Sequence, residues 1–306
     1  MKIRKKLKLI AFDANLTGFL IFGAMAEGTT TGVRNILVEQ STIESAFLER
    51  DVIIDAYLPL NIEHPENMGL LLINDGQDLP KMPFDEILDG LITDKAIEPL
   101  VCIGIYCGPD RKMEYGTAEE ADCKGRGVKA GLYTQFVLEE LLPFIRTTYG
   151  VASFKEKSFA GFSLGALSAL DIAWNNPQQF SKTGAFSGSF WWRSKDYNEG
   201  YDEDTDRIMH AQIRNGEFYP WLKFFFECGA MDETEDRNNN GIIDAIDDTL
   251  DLIKEFKKLG YTNDHLKYLE LADGKHDVPT WGRAFPDFLK WGWGITSTID
   301  EVRSWK

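Results

Sequence analysis

This chain of 306 residues has few basic residues relative to acidic ones, only four histidines and only four cysteines. It also lacks long apolar runs. No stretch has the roughly 20 consecutive apolar residues that a membrane-spanning helix needs. Lys and Arg number 33 against 49 Asp and Glu, so the net charge is -16. This balance argues against a nucleic-acid backbone or an anionic membrane surface as partner.

The four cysteines fit either an oxidising or a reducing compartment. Cys102 and Cys228 lie within apolar runs, which predicts buried thiols. Cys107 and Cys123 bracket a loop and can pair if the protein is exported. Their spacing does not decide between a disulfide and two free thiols.

The N-terminus has the pattern of a secretory signal peptide over residues 1–26. A basic segment, MKIRKKLK, precedes the apolar segment LTGFLIFG, and Ala24-Met25-Ala26 fits a small-x-small cleavage site. Asp13 and Asn15 interrupt the apolar run, and an ordinary N-terminal helix is the alternative. We expect a secreted or periplasmic protein, or a cytoplasmic one if this segment is not a signal.

After this segment, short apolar runs alternate with amphipathic segments. The apolar runs predict strands at DVIIDAYL, GLLLIND, PLVCIGIYCG, KSFAGFS, KTGAFSGSF, KFFFECGA and LKYLELAD. Helices are predicted at FDEILDGLI, LYTQFVLEELLPFIRTTYG, LGALSALDIAWNN, DDTLDLIKEFKKLG and AFPDFLKWGW. This alternation favours an α/β fold with a mostly parallel central sheet covered by helices on both faces.

The domain organisation predicted for residues 27–306 is a single α/β domain. No repeat or low-complexity linker divides it. The first two strands, near 33–45 and 50–59, follow each other without a helix and predict an antiparallel edge. Two long connections, 108–128 and 191–220, are expected to form walls of a functional site, because long loops in compact domains usually carry function.

Ser163 is the predicted nucleophile. It lies in AGFSLGA, where Gly161-Phe162-Ser163-Leu164-Gly165 forms a G-x-S-x-G motif between a predicted strand and a predicted helix. This is the context of a nucleophile elbow, in which a sharp turn strains the serine and the glycines let neighbouring backbone pass closely. The alternative is a glycine-rich turn with serine as a helix cap.

His276 and Asp232 are the predicted base and acid of a catalytic triad. In hydrolases with this elbow the order along the chain is Ser, acid, His. His276 follows the last predicted strand in LADGKHDVPTW, whereas His64, His210 and His265 are better explained as structural or exposed residues. Asp232 is the first carboxylate after KFFFECGA, and position alone favours it over Glu233.

An oxyanion hole requires two backbone N–H groups directed at the tetrahedral oxygen. Leu164, directly after the nucleophile, is expected to supply one. The Asp-Gly-Gln turn in LLLINDGQDLP is expected to supply the other, from Gln77. An ordinary Asp-Gly turn is the alternative for this segment.

Several motifs together resemble the esterase D-like family of α/β-hydrolases. They occur in the family's order from about residue 50 to 294: LLINDGQ, GPDRKMEYG, FVLEELLPFI, FAGFSLGALSAL, FSGSFWW, CGAMD and GKHDVPTWGRAFPDFL. The family includes enterochelin esterase-like enzymes, S-formylglutathione hydrolases, and feruloyl and acetylxylan esterases of carbohydrate esterase family one. The resemblance implies an α/β-hydrolase fold and the triad and oxyanion residues given above.

Candidate substrate contacts follow from the same resemblance and from aromatic residues near the motifs. DRKMEY is similar to a pocket segment of enterochelin esterase-like members, which implies that Arg111 contacts a substrate oxygen. A surface ion pair with Glu114 is the alternative. Trp191, Trp192 and Trp281 suit a flat acyl or sugar group, and core packing is the alternative for each.

The acidic segment after the predicted triad acid matches an EF-hand calcium loop, with Gly241 at the sharp turn. Ile242 is expected to coordinate through its carbonyl, and Asp at the last position replaces the usual Glu. The predicted ligands are Asp236, Asn238, Asn240, Ile242, Asp244 and Asp247. An Asn-Gly turn in an acidic surface loop is the alternative. No organic cofactor is expected.

The function predicted from these residues is a serine carboxylic-ester hydrolase that works through an acyl-enzyme. Acetyl or feruloyl esters of polysaccharide are the first expectation for the substrate. A siderophore trilactone is the second, since the negative charge of the chain does not favour an anionic ferric catecholate. A catalytically idle, calcium-stabilised binding module is the alternative from another class.

Overall fold

The computed structural model describes residues 35–60, 62 and 67–295, so the predicted signal segment 1–26 lies outside the described residues. The strands of these described residues form one eight-stranded sheet in the order β1-β2-β4-β3-β5-β6-β7-β8. The strands are β1 (Ile36–Ser45), β2 (Arg50–Pro59), β3 (Gly69–Asn74), β4 (Leu100–Ile105), β5 (Lys157–Phe162), β6 (Lys182–Phe186), β7 (Lys223–Gly229) and β8 (Leu266–Leu271).

The strand pairing confirms the predicted mostly parallel sheet with an antiparallel edge. β1 pairs antiparallel with β2, and β2 antiparallel with β4. The remaining neighbours, from β4 through β3, β5, β6 and β7 to β8, are all parallel. Parallel strands need crossover connections, and the helices between them supply these.

Helices cover the sheet and match most of the predicted segments. They are α1 (Phe84–Thr93), α2 (Arg111–Glu114), α3 (Ala130–Gln135), α4 (Leu142–Tyr149), α5 (Leu164–Asn175), α6 (Glu203–Asp206), α7 (Ile208–Arg214), α8 (Asp244–Lys258) and α9 (Val278–Trp293). A π-helical segment, Phe136–Leu141, joins α3 to α4. Among the helices that the structure describes, none is long and apolar enough to cross a membrane.

The core lies on both faces of the sheet because the inner strands are apolar on both sides. In β7, Phe224 and Phe226 pack into one cluster with α5 and α8, while Phe225 packs into the other with α1 and α9. Successive side chains of a strand point to opposite faces, so a run such as FFF requires a sheet covered on both faces.

The two long connections contain short helices that the sequence analysis did not place. The connection 108–128 contains α2, and the connection 191–220 contains α6 and α7. Since β3, β5, β7 and β8 are parallel, the segments that follow them leave at the same edge of the sheet. In open α/β sheets this carboxyl edge is where ligands bind.

Candidate active site

Ser163 occupies a strained turn between β5 and α5. Its φ of 55° and ψ of −121° lie in a region that residues with a side chain rarely adopt. The two glycines of the motif are required by contact: a Cβ at Gly161 would lie 2.4 Å from the Gly165 carbonyl oxygen. A Cβ at Gly165 would lie 2.6 Å from the Asp75 carboxylate. The local geometry is that of a nucleophile elbow.

Neighbouring main chain fixes the elbow, and a second hydroxyl lies beside it. The Ser163 N–H donates to the Phe186 carbonyl at 2.8 Å, and the Ser189 N–H donates to the Ser163 carbonyl at 3.2 Å. Ser189 Oγ lies 3.4 Å from Ser163 Oγ. Ser189 was missed by the sequence analysis, because nothing in FSGSFWW distinguishes it from other small residues after a strand.

Asp232 and His276, predicted as acid and base, lie together. The distance between His276 Nδ1 and Asp232 Oδ2 is 3.5 Å, and the Asp232 side chain is 1% exposed against 41% for His276. At this distance the two groups form an ion-pair contact and not a hydrogen bond; contacts between catalytic groups are often long before substrate binds and tighten in the complex. Glu233 is directed elsewhere, since its Oε1 accepts the Ala245 N–H at 2.6 Å.

Trp281 packs against the imidazole of His276 and is itself buried. Its ring stacks on Phe162 with 4.9 Å between centroids, and meets the His276 ring edge-on at 5.4 Å. Its Nε1 donates to Ser187 Oγ at 2.9 Å. Trp281 therefore links the elbow strand to the His276 loop rather than offering an open aromatic face.

The other histidines do not compete for the role of base in the described part of the chain. His210 is buried and its Nε2 lies 2.8 Å from the Asp248 carbonyl oxygen. Burial lowers the pKa of His210 to about 3. His265 contacts Thr262 at the start of β8, and His64 lies outside the described residues. The structural or exposed roles predicted for His210 and His265 are confirmed.

The predicted oxyanion donors lie at the starts of two helical segments. Leu164 is the first residue of α5, and Gln77 is the second residue of the 3₁₀ turn Gly76–Lys81. N–H groups at such positions have no acceptor within their own helix. The Gln77 side chain is held by the main chain just past β4, because its Oε1 accepts the Cys107 N–H at 3.1 Å.

Asn74 and Asp75 connect the oxyanion turn to the elbow. Asn74 Nδ2 donates to the Gly165 carbonyl at 2.8 Å, and its Oδ1 accepts the Tyr133 hydroxyl at 2.5 Å. Asp75 has a positive φ of 59° and is buried. The turn and the elbow are therefore held in a fixed relative position.

The ion pair predicted as the alternative for Arg111 is wrong. Arg111 Nε and Nη2 donate to the two oxygens of Asp75, each at 2.7 Å. Glu114 is instead bound by Arg50, at 2.8 and 2.6 Å. α2 is a single helical turn that begins with Arg111 and ends with Glu114. It directs Glu114 towards Arg50, the first residue of β2. Arg111 thus lies beside the oxyanion turn, with its charge balanced by a buried carboxylate.

The prediction that Trp192 contacts substrate is corrected by its burial. Trp192 is fully buried, and its Nε1 donates to Thr117 Oγ1 at 3.1 Å. It is a core residue beneath the connection 108–128, as the alternative interpretation allowed. Trp191 is half-buried, with the Arg126 guanidinium 4.7 Å above its ring.

The cysteines are free thiols. Cys102 and Cys228 are buried, as predicted, and Cys107 and Cys123 are partly buried without a disulfide between them. Of the two alternatives left open by their spacing, the structure has the free thiols. Burial, with the nearby Asp75 carboxylate, raises the pKa of the Cys107 thiol to about 11, which makes it a poor nucleophile.

The predicted calcium loop is ordered around Asp236 and Asp247. Asp236 accepts the N–H groups of Asn240 and Gly241, at 3.1 and 2.9 Å. Asp247 Oδ2 accepts the side-chain amides of Asn238 and Asn240, at 3.0 and 2.6 Å.

Two further predicted ligands lie in the second half of this loop. Asp244 accepts the Arg237 N–H at 2.9 Å, and Ile242 is exposed. In the part of the chain that is described, no three His, Cys, Asp or Glu side chains converge on one point. The predicted ligand set includes two amides and a main-chain carbonyl, so it does not require such a cluster; the donors present are the oxygens that calcium prefers.

The sequence around these site residues matches a known protein family. A model of the family described as "Putative esterase" matches residues 45–291. The chain belongs to this esterase family. The curated protein YbbA of Bacillus subtilis (strain 168), described as uncharacterized, is 22% identical over 215 residues, which is 68% of this chain and 79% of YbbA.

Solved structures of esterases share the α/β-hydrolase fold. The enterobactin esterase of Shigella flexneri, solved in the presence of enterobactin, is 18% identical with a TM-score of 0.65, over 84% of this chain and 59% of that one. A ferulic acid esterase is 16% identical with a TM-score of 0.61, over 85% of this chain and 98% of that one. The chain thus spans less than two thirds of the enterobactin esterase, and at these identities the likeness shows the fold.

Proposed function

We propose that this member of the esterase family hydrolyses carboxylic esters through an acyl-enzyme on Ser163. The observation that carries the proposal is the buried Asp232 carboxylate 3.5 Å from His276 Nδ1. Asp232 follows β7 and His276 follows β8, and both strands run parallel to β5, which ends directly before Ser163. A carboxylate in this position orients the imidazole and stabilises its cation.

The proposed reaction has two halves. Ser163 Oγ attacks the ester carbonyl carbon while His276 takes the hydroxyl proton, and the N–H groups of Leu164 and Gln77 stabilise the oxyanion. The tetrahedral intermediate collapses, and His276 gives its proton to the leaving alcohol. Water then attacks the acyl carbon, His276 takes its proton, and the second collapse releases the acid and returns the proton to Ser163.

The substrate class that we propose is an acetyl or feruloyl ester of a polysaccharide. Arg111, the cation expected to meet a substrate oxygen, is neutralised by Asp75 through two hydrogen bonds. A net charge of -16 adds to this, and both features favour a neutral ester over an anionic ferric catecholate. The ferulic acid esterase among the structural neighbours is consistent with this choice.

A siderophore trilactone is the second candidate, because enterobactin esterases are also among the structural neighbours. Hydrolysis rates for methyl ferulate, acetylated xylan and a catecholate trilactone distinguish the two. We expect turnover of the ferulate or acetyl ester to exceed that of the trilactone. The reverse order would assign the chain to the second class.

A catalytically idle binding module is tested by a fluorophosphonate probe. The strained Ser163 and the Asp232–His276 pair support an active enzyme. We expect covalent labelling of the folded wild-type protein and none of Ser163→Ala. A folded wild-type protein that resists the probe would favour the idle module.

We also propose that the loop from Asp236 to Asp247 binds calcium. Support comes from the spacing of its oxygen donors and from the hydrogen bonds that already gather Asp236, Asn238, Asn240 and Asp247. Bound calcium would stabilise the segment between β7 and α8, which also carries Asp232. A calcium titration followed by calorimetry tests the site directly.

A further inference from the structure

Glu227 is a buried carboxyl that the proposed reaction does not use. It is the fifth residue of β7, in the apolar run KFFFECG, and is fully buried. Neither of its carboxyl oxygens has a hydrogen-bond partner among the residues that the structure describes. An isolated charged carboxylate in such a place is strongly disfavoured, so the group needs a proton or a partner.

The sheet register places Glu227 on the α9 face, the face that carries the Asp232 carboxylate. Phe225, two residues earlier, packs against Phe288 of α9 with 5.4 Å between ring centroids. Gly229, two residues later, also faces this side, and a Cβ there would lie 2.7 Å from Asp232 Oδ1. Residues two apart in a strand are separated by roughly 7 Å, so Glu227 lies next to the triad acid.

Asp232 lacks the donors that usually hold a triad acid. Its two oxygens are buried and have no hydrogen-bond partner in the described residues; His276 Nδ1 lies 3.5 Å from Oδ2. The side of Asp232 away from His276 faces β7, where Glu227 is an ionisable side chain on the same face of the strand. A protonated carboxyl there is a suitable donor, whereas a second carboxylate would repel Asp232.

The charges around Glu227 favour its protonated form. Burial, and then the negative charge of Asp232, raise the pKa of Glu227 to about 8. Arg283 of α9 acts in the opposite direction but is paired with Asp273, at 2.8 and 2.9 Å. The Ser187 N–H, directly after β6, donates to the Glu227 main-chain carbonyl at 2.8 Å and also acts to lower the pKa of the Glu227 carboxyl, less strongly than burial and Asp232 raise it. The register neighbour of Glu227 on β8 is the apolar Leu269.

We propose that Glu227 is a positioning residue for the triad acid, protonated at neutral pH and donating that proton in a hydrogen bond to Asp232. The proposal rests on the proposed esterase function. The pair then carries one negative charge, which is what the His276 cation formed during turnover requires. Ionisation of Glu227 would place a second charge in the buried site and displace Asp232, so activity is lost on the alkaline side.

Two variants separate the protonated donor from an ionised or merely space-filling residue. Glu227→Gln keeps the size and an N–H donor and cannot ionise, while Glu227→Met keeps the length and removes the donor. We expect Glu227→Gln to retain kcat at pH 7 within about twofold and to extend the alkaline limb of the pH–rate profile beyond that of the wild type. We expect Glu227→Met to lose about tenfold in kcat with KM unchanged, the scale of one hydrogen bond to a charged group.

The result that overturns the proposal is a folded Glu227→Gln variant with the alkaline limb of the wild type, or with the same loss of kcat as Glu227→Met. Circular dichroism checks that each variant is folded, and an infrared difference spectrum of wild type against Glu227→Gln reports the protonated carboxyl directly. An ionised Glu227 at pH 7 would also overturn it. A wild-type protein without esterase activity or fluorophosphonate labelling would instead mean that the proposed function has failed.

Discussion

Asp75 accepts two hydrogen bonds from Arg111, each of 2.7 Å, at the turn that presents the Gln77 N–H. Asp75 is buried with a positive φ, and one of its oxygens is in contact distance of the position a Gly165 side chain would occupy. The ion pair therefore joins the connection 108–128 to both halves of the proposed oxyanion hole.

Arg111→Lys is expected to lower kcat by roughly tenfold with little change in KM. Lysine cannot reproduce the two parallel hydrogen bonds, and deleting an oxyanion donor itself typically costs about 100-fold or more. Steady-state kinetics on a neutral ester measures the effect. Arg50→Lys, which breaks the matched pair with Glu114, is the control. A raised KM with unchanged kcat would show that Arg111 binds substrate instead.

Asp232→Asn is expected to lower kcat by on the order of 10³- to 10⁴-fold, because an amide favours the wrong tautomer of His276. Glu233→Gln, one residue away, is expected to retain activity, since its side chain accepts the Ala245 N–H and does not contact His276. The two variants are compared in the same assay. Equal losses in both, or a loss confined to Glu233→Gln, would reassign the acid.

Removal of calcium is expected to lower both the melting temperature and the esterase activity, because the calcium loop continues from the segment that carries Asp232. Saturation at about 100 times Kd would stabilise the fold by about 2.7 kcal/mol. Melting curves and turnover are measured with EDTA, with calcium restored, and in Asp236→Ala.

Asp264→Ala, in an exposed loop after α8, serves as the control for that experiment and should respond to calcium like the wild type. A fall in melting temperature with unchanged turnover would leave calcium a purely structural ion. No response to EDTA and none to Asp236→Ala would contradict the site.

Glu227→Gln is expected to flatten the pH dependence of stability. The folded-state pKa of Glu227 is raised from 4.5 to about 8, so between these values the unfolded chain binds fewer protons than the folded one. Stability attributable to this group is therefore greatest at acidic pH and decreases as pH rises towards 8. Urea unfolding at pH 5 and pH 8 measures the free energy of unfolding. Its value for the variant should rise relative to that of the wild type between these two pH values. An equal change in both would show that Glu227 is already ionised.

Much of the fold was predictable because the strands are apolar on both faces and the helices follow between them. The elbow was predictable because its motif needs glycine at two positions: a Cβ at Gly161 or Gly165 would lie only 2.4 or 2.6 Å from a neighbouring oxygen. The order of residues along the chain and the ends of the predicted strands were also sufficient to predict that Asp232 and His276 lie close together. These features depend on local pattern and on the parallel order of the sheet.

Partners set by tertiary packing could not be predicted. Arg111 and Glu114 are three residues apart, which suggested an ion pair, but each binds a carboxylate or guanidinium from a distant segment. Trp191 and Trp192 are adjacent, and which of them enters the core depends on the connection 108–128. Glu227 has a recognisable signal in the sequence, namely a carboxyl within the apolar run of β7.

The most direct test of the account is labelling by a fluorophosphonate, with the modified residue located by mass spectrometry. The account predicts a single adduct on Ser163 in the folded wild-type protein, greatly slowed labelling in His276→Ala, and none in Ser163→Ala. Labelling at another residue, or a folded wild-type protein that remains unmodified, would contradict it.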